Sequence, residues 1–451
     1  MYIHRHIESV MKRFADNKSV ILLIGRARVG KSTIITEIRR DISYVNFMEP
    51  IPRKLAVYPS AFFEINKPPI ILDEIQYAPR LIDYILENVE SFNKNGQLYL
   101  VGIPGMLLKD LVNCSSERIG VIKMANLSMR EISCISYSKP FLPTSGHIAG
   151  MTDSIAARDI GVADGAEDSA ADSAADSAAS GVAANALESA APYLINNSDV
   201  FDSAKIARYI HQGFSSVLHN PKKTRFSSWD DYHSYYFEYF ISKITKDTMS
   251  DWGISSFKRF VRAAASFTGQ ILDIQALAEI SGVDAEIALK WLYWLENANW
   301  IYLLKSYHDK NNRRLINMPK LIFTDTGLAC WLSGLYTPEQ LVDSPMWTRI
   351  FESYVVYEIV KSYYNDGVIN PPLYYCRDVD DNEINILIEE GATLYPVGIS
   401  TAREPDKSMI TAFSLIDDIP GKKSGTGALV CLADEWRRLT DGVWAIPAYL
   451  V

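Results

Sequence analysis

Residues 20–33 read Val-Ile-Leu-Leu-Ile-Gly-Arg-Ala-Arg-Val-Gly-Lys-Ser-Thr, and this stretch narrows what the chain can fold into more than any other. Five apolar residues, Val20 to Ile24, predict a buried strand, and Thr33 to Arg40 predict a helix. Between them, Gly25-x4-Gly30-Lys31-Ser32 spells the G-x-x-x-x-G-K-[ST] phosphate-binding pattern. Gly25 and Gly30 let the backbone wrap closely around an anion. The amides at the start of the helix then face the phosphates, where the helix dipole also favours negative charge.

A second string completes the first. Pro68-Pro-Ile-Ile-Leu-Asp73-Glu74 is an apolar strand ending in two carboxylates, about forty residues downstream. In this pattern Lys31 is expected to reach the β- and γ-phosphates, and the Ser32 hydroxyl to ligate Mg²⁺. Asp73 supplies the acid that such an ion needs at the end of a neighbouring strand. Glu74 then stands beside the γ-phosphate to orient or deprotonate water. Arg28, Val29 and Gly30 of the loop, with Thr33 after Ser32, complete the expected nucleotide cradle. The chain has no guanine-reading Asn/Thr-Lys-x-Asp string, which tilts the reading toward ATP.

Charge and cysteine usage narrow the remaining classes. The net charge of -9 is not that of a globally basic nucleic-acid binder. It is unevenly placed: between Pro143 and Ala190 stand eight acids (Asp153, Asp159, Asp164, Glu167, Asp168, Asp172, Asp176, Glu188) against Arg158 alone. The rest of the chain is therefore close to neutral. Cys114, Cys134, Cys330, Cys376 and Cys431 are odd in number and in no C-x-x-C spacing, which reads as buried reduced thiols. The histidines form no metal-ligand cluster with them. No apolar stretch approaches the roughly 20 residues needed to span a bilayer, and no signal peptide is recognisable. The expected location is the cytoplasm, with no membrane partner.

Four regions follow along the chain. Residues 1–142 alternate strands and helices, which implies a parallel sheet covered by helices. Residues 143–192 hold the repeat Asp168-Ser-Ala-Ala-Asp-Ser-Ala-Ala; with nothing to bury, this acidic insert is expected to be disordered. Residues 193–340 turn helical and aromatic. Within them, about 265–320 has the shape of a winged helix, with helices at Ile271–Gly282 and Val283–Glu296 and wing strands at Trp300–Tyr307 and Arg313–Asn317. Its second helix offers only Lys290 as a cation and begins with Asp284 and Glu286, so protein packing is favoured over DNA readout. Residues 345–451 read as a small α/β domain. The fold class is α/β throughout.

These strings together resemble a family of prokaryotic AAA-type ATPases that join a P-loop core to a winged helix and a C-terminal domain of unknown function with a restriction-nuclease-like fold. The matching stretches are Gly25–Thr33, Leu72-Asp-Glu-Ile-Gln76, Leu127-Ser-Met-Arg-Glu131, Pro319–Leu328 with its Thr-Asp-Thr-Gly-Leu, Phe351-Glu352 with Glu358, and Glu383–Ile388 before Tyr395-Pro-Val. The resemblance implies ATP binding and hydrolysis. Two departures matter. The polar residue that usually ends the fourth core strand is absent from Val101-Gly102-Ile103-Pro104, while Glu117-Arg118 keeps an arginine, making Arg118 a candidate for stabilising charge in phosphoryl transfer. In the nuclease-like domain, Asn385, Gly398 and Ser400 stand where a metal-dependent nuclease needs acids and a lysine. Glu358 and Glu383 remain, but two carboxylates are ordinary surface content, so this domain is expected to be inactive. The leading expectation is a Mg²⁺-dependent ATPase whose nucleotide state gates a protein partner or its own C-terminal domain. The alternatives are a non-hydrolysing nucleotide-gated binding module and an ATP-driven DNA-processing protein.

Overall fold

The computed structural model describes residues 2–105, 108–114, 116–159, 205–219, 226–245, 251–307 and 315–451. The first sheet consists of β1 (Val20–Ile24), β2 (Ser43–Asn46), β3 (Ile70–Asp73), β4 (Leu98–Gly102) and β5 (Ile119–Lys123). The order is β2-β3-β4-β1-β5, and every pairing is parallel. Strands of such a sheet are covered on both faces and read as continuous apolar runs, as β1 and β4 do with every position buried. The register pairs Ile24 with Gly102 and Val101 with Asp73. The chain segments leaving β1, β3 and β4 therefore emerge side by side, which brings Gly25, Glu74 and Ile103 to one edge.

The expected core elements are present, with small shifts at their ends. The helix expected from Pro79 to Phe92 stops at Glu87 and continues as a short 3₁₀ turn, Val89–Ser91. The insert begins later than its composition suggests. Ser145–Asp159 is a helix, and it buries Ile148 and Met151 in the largest apolar cluster of the molecule. The Asp-Ser-Ala-Ala repeat lies outside the described residues.

The strands of the second half join in one sheet. Helices Ile274–Ser281 and Ala285–Asn297 pack at a turn made by Gly282, whose φ of 70° suits glycine. Asp273 and Asp284 cap these helices by accepting from Ala276 N and Ile287 N. Next come β6 (Gln270–Ile271), β7 (Ile301–Ser306) and β8 (Lys320–Phe323), with β8 antiparallel to both of its neighbours. The returning strand is thus Lys320–Phe323 and not Arg313–Asn317. Residues 308–314 fall outside the described chain, and Leu315 forms an isolated bridge to Asp378.

β7 also pairs in parallel with β9 (Leu373–Arg377), through Lys305 to Tyr374 and Ser306 to Tyr375. The sheet continues through β10 (Glu383–Glu390), β11 (Thr393–Ile399), β13 (Gly427–Cys431) and β15 (Val443–Pro447) to β14 (Arg437–Thr440), with β12 (Lys423–Ser424) beside β11. The helix Trp347–Tyr364 is buried at every position from Ile350 to Tyr364. It is sandwiched between this sheet and the first unit: Lys361 Nζ donates to Leu127 O at 2.8 Å, and Ser362 Oγ accepts from Phe141 N at 2.9 Å. Cys330, Cys376 and Cys431 are buried free thiols, whereas Cys114 is half-buried and Cys134 exposed, against expectation.

Candidate functional site

The loop Gly25–Gly30 leaves β1 and enters the helix Lys31–Ile38 through Gly30, whose φ is 99°. A side chain at Gly25 is excluded, since a Cβ there would lie 2.3 Å from Met124 O. Lys31 is 6% exposed, and its ammonium donates to Gly25 O at 2.8 Å and Arg26 O at 2.9 Å. It makes no ion pair among the described residues. Burial pushes its pKa down to about 8, against the pull of Glu74 and Asp73.

Asp73 is buried at the end of β3 and accepts from Tyr44 Oη at 2.5 Å and from Glu74 N at 2.9 Å. Glu74 stands in the left-handed region at φ 57°, and Gln76 Nε2 donates to its Oε2 at 2.5 Å. Gln76 Oε1 in turn accepts from Ile103 N at 3.4 Å. The side-chain amide of Gln76 thus bridges Glu74 and the strand end that lacks a hydroxyl. The structure therefore gathers Gly25, Arg28, Val29, Gly30, Lys31, Ser32, Thr33, Asp73 and Glu74 at one edge of the sheet.

Arg118 is not brought there. It precedes β5, and its carbonyl accepts from Ser19 N and Val20 N at the opposite end of the sheet. Its guanidinium donates to Glu90 Oε2 at 2.7 Å on the surface. The strand order explains the distance, because β5 runs parallel to β1 and the residue before β5 lies a full strand length from the loop after β1.

Three arginines that motif spacing alone does not connect hold the loop in place. Arg5 is buried; it donates to Val29 O at 3.2 Å, to Ala125 O at 2.9 Å, and through Nε to Glu131 Oε1 at 3.0 Å. Glu131 also closes a reciprocal cap with Ser128, which gives the Leu127-Ser-Met-Arg-Glu string a structural purpose. Arg26 Nη2 donates to Asp325 Oδ2 at 2.5 Å, and Asn126 Nδ2 donates to the same oxygen at 3.0 Å. Burial pushes the Asp325 carboxyl up, but Arg26 and the amide of Leu328 hold it below the usual carboxylate range. Arg26 Nε and Nη1 are buried with no hydrogen-bond partner among the described residues, and the guanidinium lies 5.0 Å from the Tyr236 ring centroid. Arg28 Nη2 donates to Tyr235 Oη at 2.9 Å. Both cationic loop side chains are thus pinned by the second half of the chain.

Two cavities flank the loop. One of about 200 Å³ lies on the β5 side, lined by Tyr2, Ile3, Gly30, Thr33, Ile34 and Met124 among others. The other, about 680 Å³, lies on the β3–β4 side beyond Ala27, Gln76 and Ile103.

The carboxylates of the C-terminal region form a separate cluster. Lys320 Nζ, buried on β8, donates to Glu352 Oε1 at 2.7 Å and also bonds Glu383. Asn385 Nδ2 approaches Glu383 Oε1 at 3.3 Å, and Arg377 Nη1 its Oε2 at 3.4 Å. Burial opposes the charge on Lys320, but the two carboxylates outweigh it and raise its pKa. Glu358 is not in this cluster. It accepts from Lys361 at 2.6 Å and from Met129 N at 3.0 Å, facing the first unit. Six residues along a helix turn a side chain by about 240°, so Glu352 and Glu358 serve different neighbours. No group of three or more His, Cys, Asp or Glu side chains suited to a metal occurs among the described residues. No helix among them is long and apolar enough to cross a membrane.

Residues 17–133 match the AAA domain family, and residues 205–339 and 347–451 match two different domains of unknown function, DUF8612 and DUF4143. No curated protein matches the sequence. Among solved structures, a Walker-type ATPase of Pyrococcus abyssi is similar at 11% identity and TM-score 0.38, covering 73% of this chain and 96% of its own. A signal-transduction ATPase with a tetratricopeptide repeat sensor from Pyrococcus horikoshii is similar at 10% identity and TM-score 0.28, with 82% and 48% covered. Drosophila ORC bound to DNA is similar at 14% identity and TM-score 0.21, with 72% and 84% covered. At these scores the structural likenesses carry no argument about function.

Proposed function

From a chain that carries an AAA-type P-loop ATPase domain ahead of a C-terminal domain of unknown function, we infer an enzyme that hydrolyses ATP and whose loop conformation is read by the second half of the chain. The observation that carries this reading is Lys31, a buried ammonium with carbonyl partners and no ion pair among the described residues, beside Asp73 and Glu74. A desolvated cation of that kind gains most from an arriving phosphate. Sheet order supports one direction for the nucleotide. Met124 and the smaller cavity lie on the β5 side and receive the base, while Glu74 lies on the β3 side and meets the γ-phosphate.

The oxygen-only donors Ser32 and Asp73 suit Mg²⁺, a hard ion that binds through few protein ligands and keeps positions for phosphate oxygens and water. When bound, the ion would neutralise charge on the β- and γ-phosphates. The chain's own groups do the rest. Asp73 is oriented by Tyr44 and by the Glu74 amide, and Glu74 is oriented by Gln76 and holds the attacking water. Gln76, reaching toward Ile103 N, supplies a polar amide near the strand end that lacks a hydroxyl. Arg26 and Arg28 tie the loop to Asp325 and Tyr235, so a loop that shifts on binding phosphate moves groups the second half holds.

DNA processing gains nothing from the geometry. Asp284, at the start of the second helix of the pair, is spent as its cap, and Lys320 neutralises the carboxylates of the C-terminal cluster. The test is steady-state phosphate release with Mg-ATP. Wild type turns over, Glu74→Gln binds ATP but loses turnover by about a hundredfold or more, and Lys31→Ala loses binding. Wild-type binding with no turnover would leave a nucleotide-gated binding module in its place.

A further inference from the structure

On the nucleotide direction proposed above, the larger cavity is left without an occupant. It lies beyond the γ-phosphate end of the loop, on the opposite side from the cavity assigned to the base, and its volume of about 680 Å³ is that of a site for a whole small molecule. Its wall is preformed. Phe240 stacks on Trp300 with ring centroids 3.7 Å apart, and Tyr236 stacks on the same indole at 5.3 Å. Tyr77 and Tyr239 close the side nearest the P-loop unit. The Phe240, Trp300 and Tyr236 rings are buried against one another, so the faces left to a flat ligand are those of Tyr77, Tyr239, Tyr293 and Trp294, which also line the cavity and are half-buried or exposed.

Charge then selects among flat ligands. Lys243 is the one ionised side chain in the lining among the described residues. Its ammonium donates to Tyr77 Oη at 3.2 Å, lies 5.6 Å from the Tyr77 and Tyr239 ring centroids, and has no carboxylate partner among the described residues. The amides of Gln76 and Asn297 also line the cavity and can fix orientation. We propose that this cavity, built jointly by the P-loop unit and the aromatic helix Trp229–Thr245, is a binding site for a planar aromatic anion distinct from the nucleotide.

The site is independent of hydrolysis, so its test needs no turnover. The full chain is titrated with naphthalene-2-sulfonate, a flat aromatic anion, and with naphthalene, its uncharged counterpart. The expected result is saturable binding of one sulfonate per chain, with the uncharged probe weaker by about tenfold, the loss of one ion pair. Lys243→Met, on an exposed position, weakens the sulfonate by a similar factor and leaves the uncharged probe unchanged. Ala298→Trp, which fills the cavity from a half-buried position, removes binding of both. Equal binding of the sulfonate to wild type and both variants would overturn the proposal, as would its stoichiometric displacement by Mg-ATP, which would make the cavity part of the nucleotide site.

Discussion

Two buried lysines in this molecule face pairs of carboxylates, and they are arranged in opposite ways. At the P-loop, Lys31 lies near Asp73 and Glu74 yet, among the described residues, bonds only backbone carbonyls, and burial lowers its pKa to about 8. In the C-terminal cluster, Lys320 bonds Glu352 and Glu383 directly, and those carboxylates raise its pKa. Residue types alone would rank the two places alike. The difference is whether charge has been left uncompensated. A cation held away from its carboxylates keeps a strong preference for an arriving anion, whereas one already neutralised has none left. The first arrangement suits ligand binding, and the second joins the β8 hairpin to the helix and sheet of the last region.

The comparison breaks most visibly under matched substitutions. Lys320→Met leaves buried Glu352 without its cation beside half-buried Glu383 and is expected to cost about 3–5 kcal/mol in urea unfolding. Lys31→Met should leave stability at or above wild type. The folded-state pKa of Lys31 lies below its ordinary 10.5, so between pH 8 and 10.5 the unfolded chain holds more protons and stability rises with pH. Below that window the buried charge is a net cost, which methionine removes. A loss of stability in Lys31→Met as large as in Lys320→Met would erase the distinction.

A smaller effect sharpens it from the other side. Arg118 and Glu90 form an ion pair whose side chains are 35% and 72% exposed. Arg118→Ala should therefore leave the same unfolding transition close to wild type and ATP turnover within about twofold. A hundredfold loss of turnover would mean that the arginine acts on the site of another copy of the chain, since it lies across the sheet from its own.

The two places also differ in how well the sequence announces them. The P-loop, its strand and the carboxylates of Asp73-Glu74 are local strings whose spacing encodes their geometry, and the structure assembles them as read. The arginines that hold the loop were not legible. Arg5 meets Glu131 and Arg26 meets Asp325 across long stretches of chain, and nothing local distinguishes such residues from surface cations. The Thr-Asp-Thr-Gly-Leu string was visible as a pattern, but its role as a cap that also pairs with Arg26 appears only in three dimensions.

The C-terminal cluster was misread in one respect for a simple reason. Glu352 and Glu358 both lie on one helix, and a helix buried on every side gives no hydrophobic stripe to say which carboxylate faces the sheet. Lys320 was overlooked as a partner because it comes from the preceding hairpin, which joins the last sheet through the pairing of β7 with β9 and the bridge of Leu315 to Asp378.

The central claim is that Lys31 is held short of a charge partner until phosphate arrives, and proton linkage tests it most directly. Calorimetric titration of Mg-ATP at pH 8.5, in buffers of different ionisation enthalpy, counts the protons taken up on binding. With a pKa of about 8 in the free protein and full protonation beside phosphate, the account predicts uptake of roughly three-quarters of a proton per ATP, falling toward zero at pH 7. Tight binding with no uptake at pH 8.5 would show that Lys31 carries its full charge before the nucleotide comes, and would contradict the account.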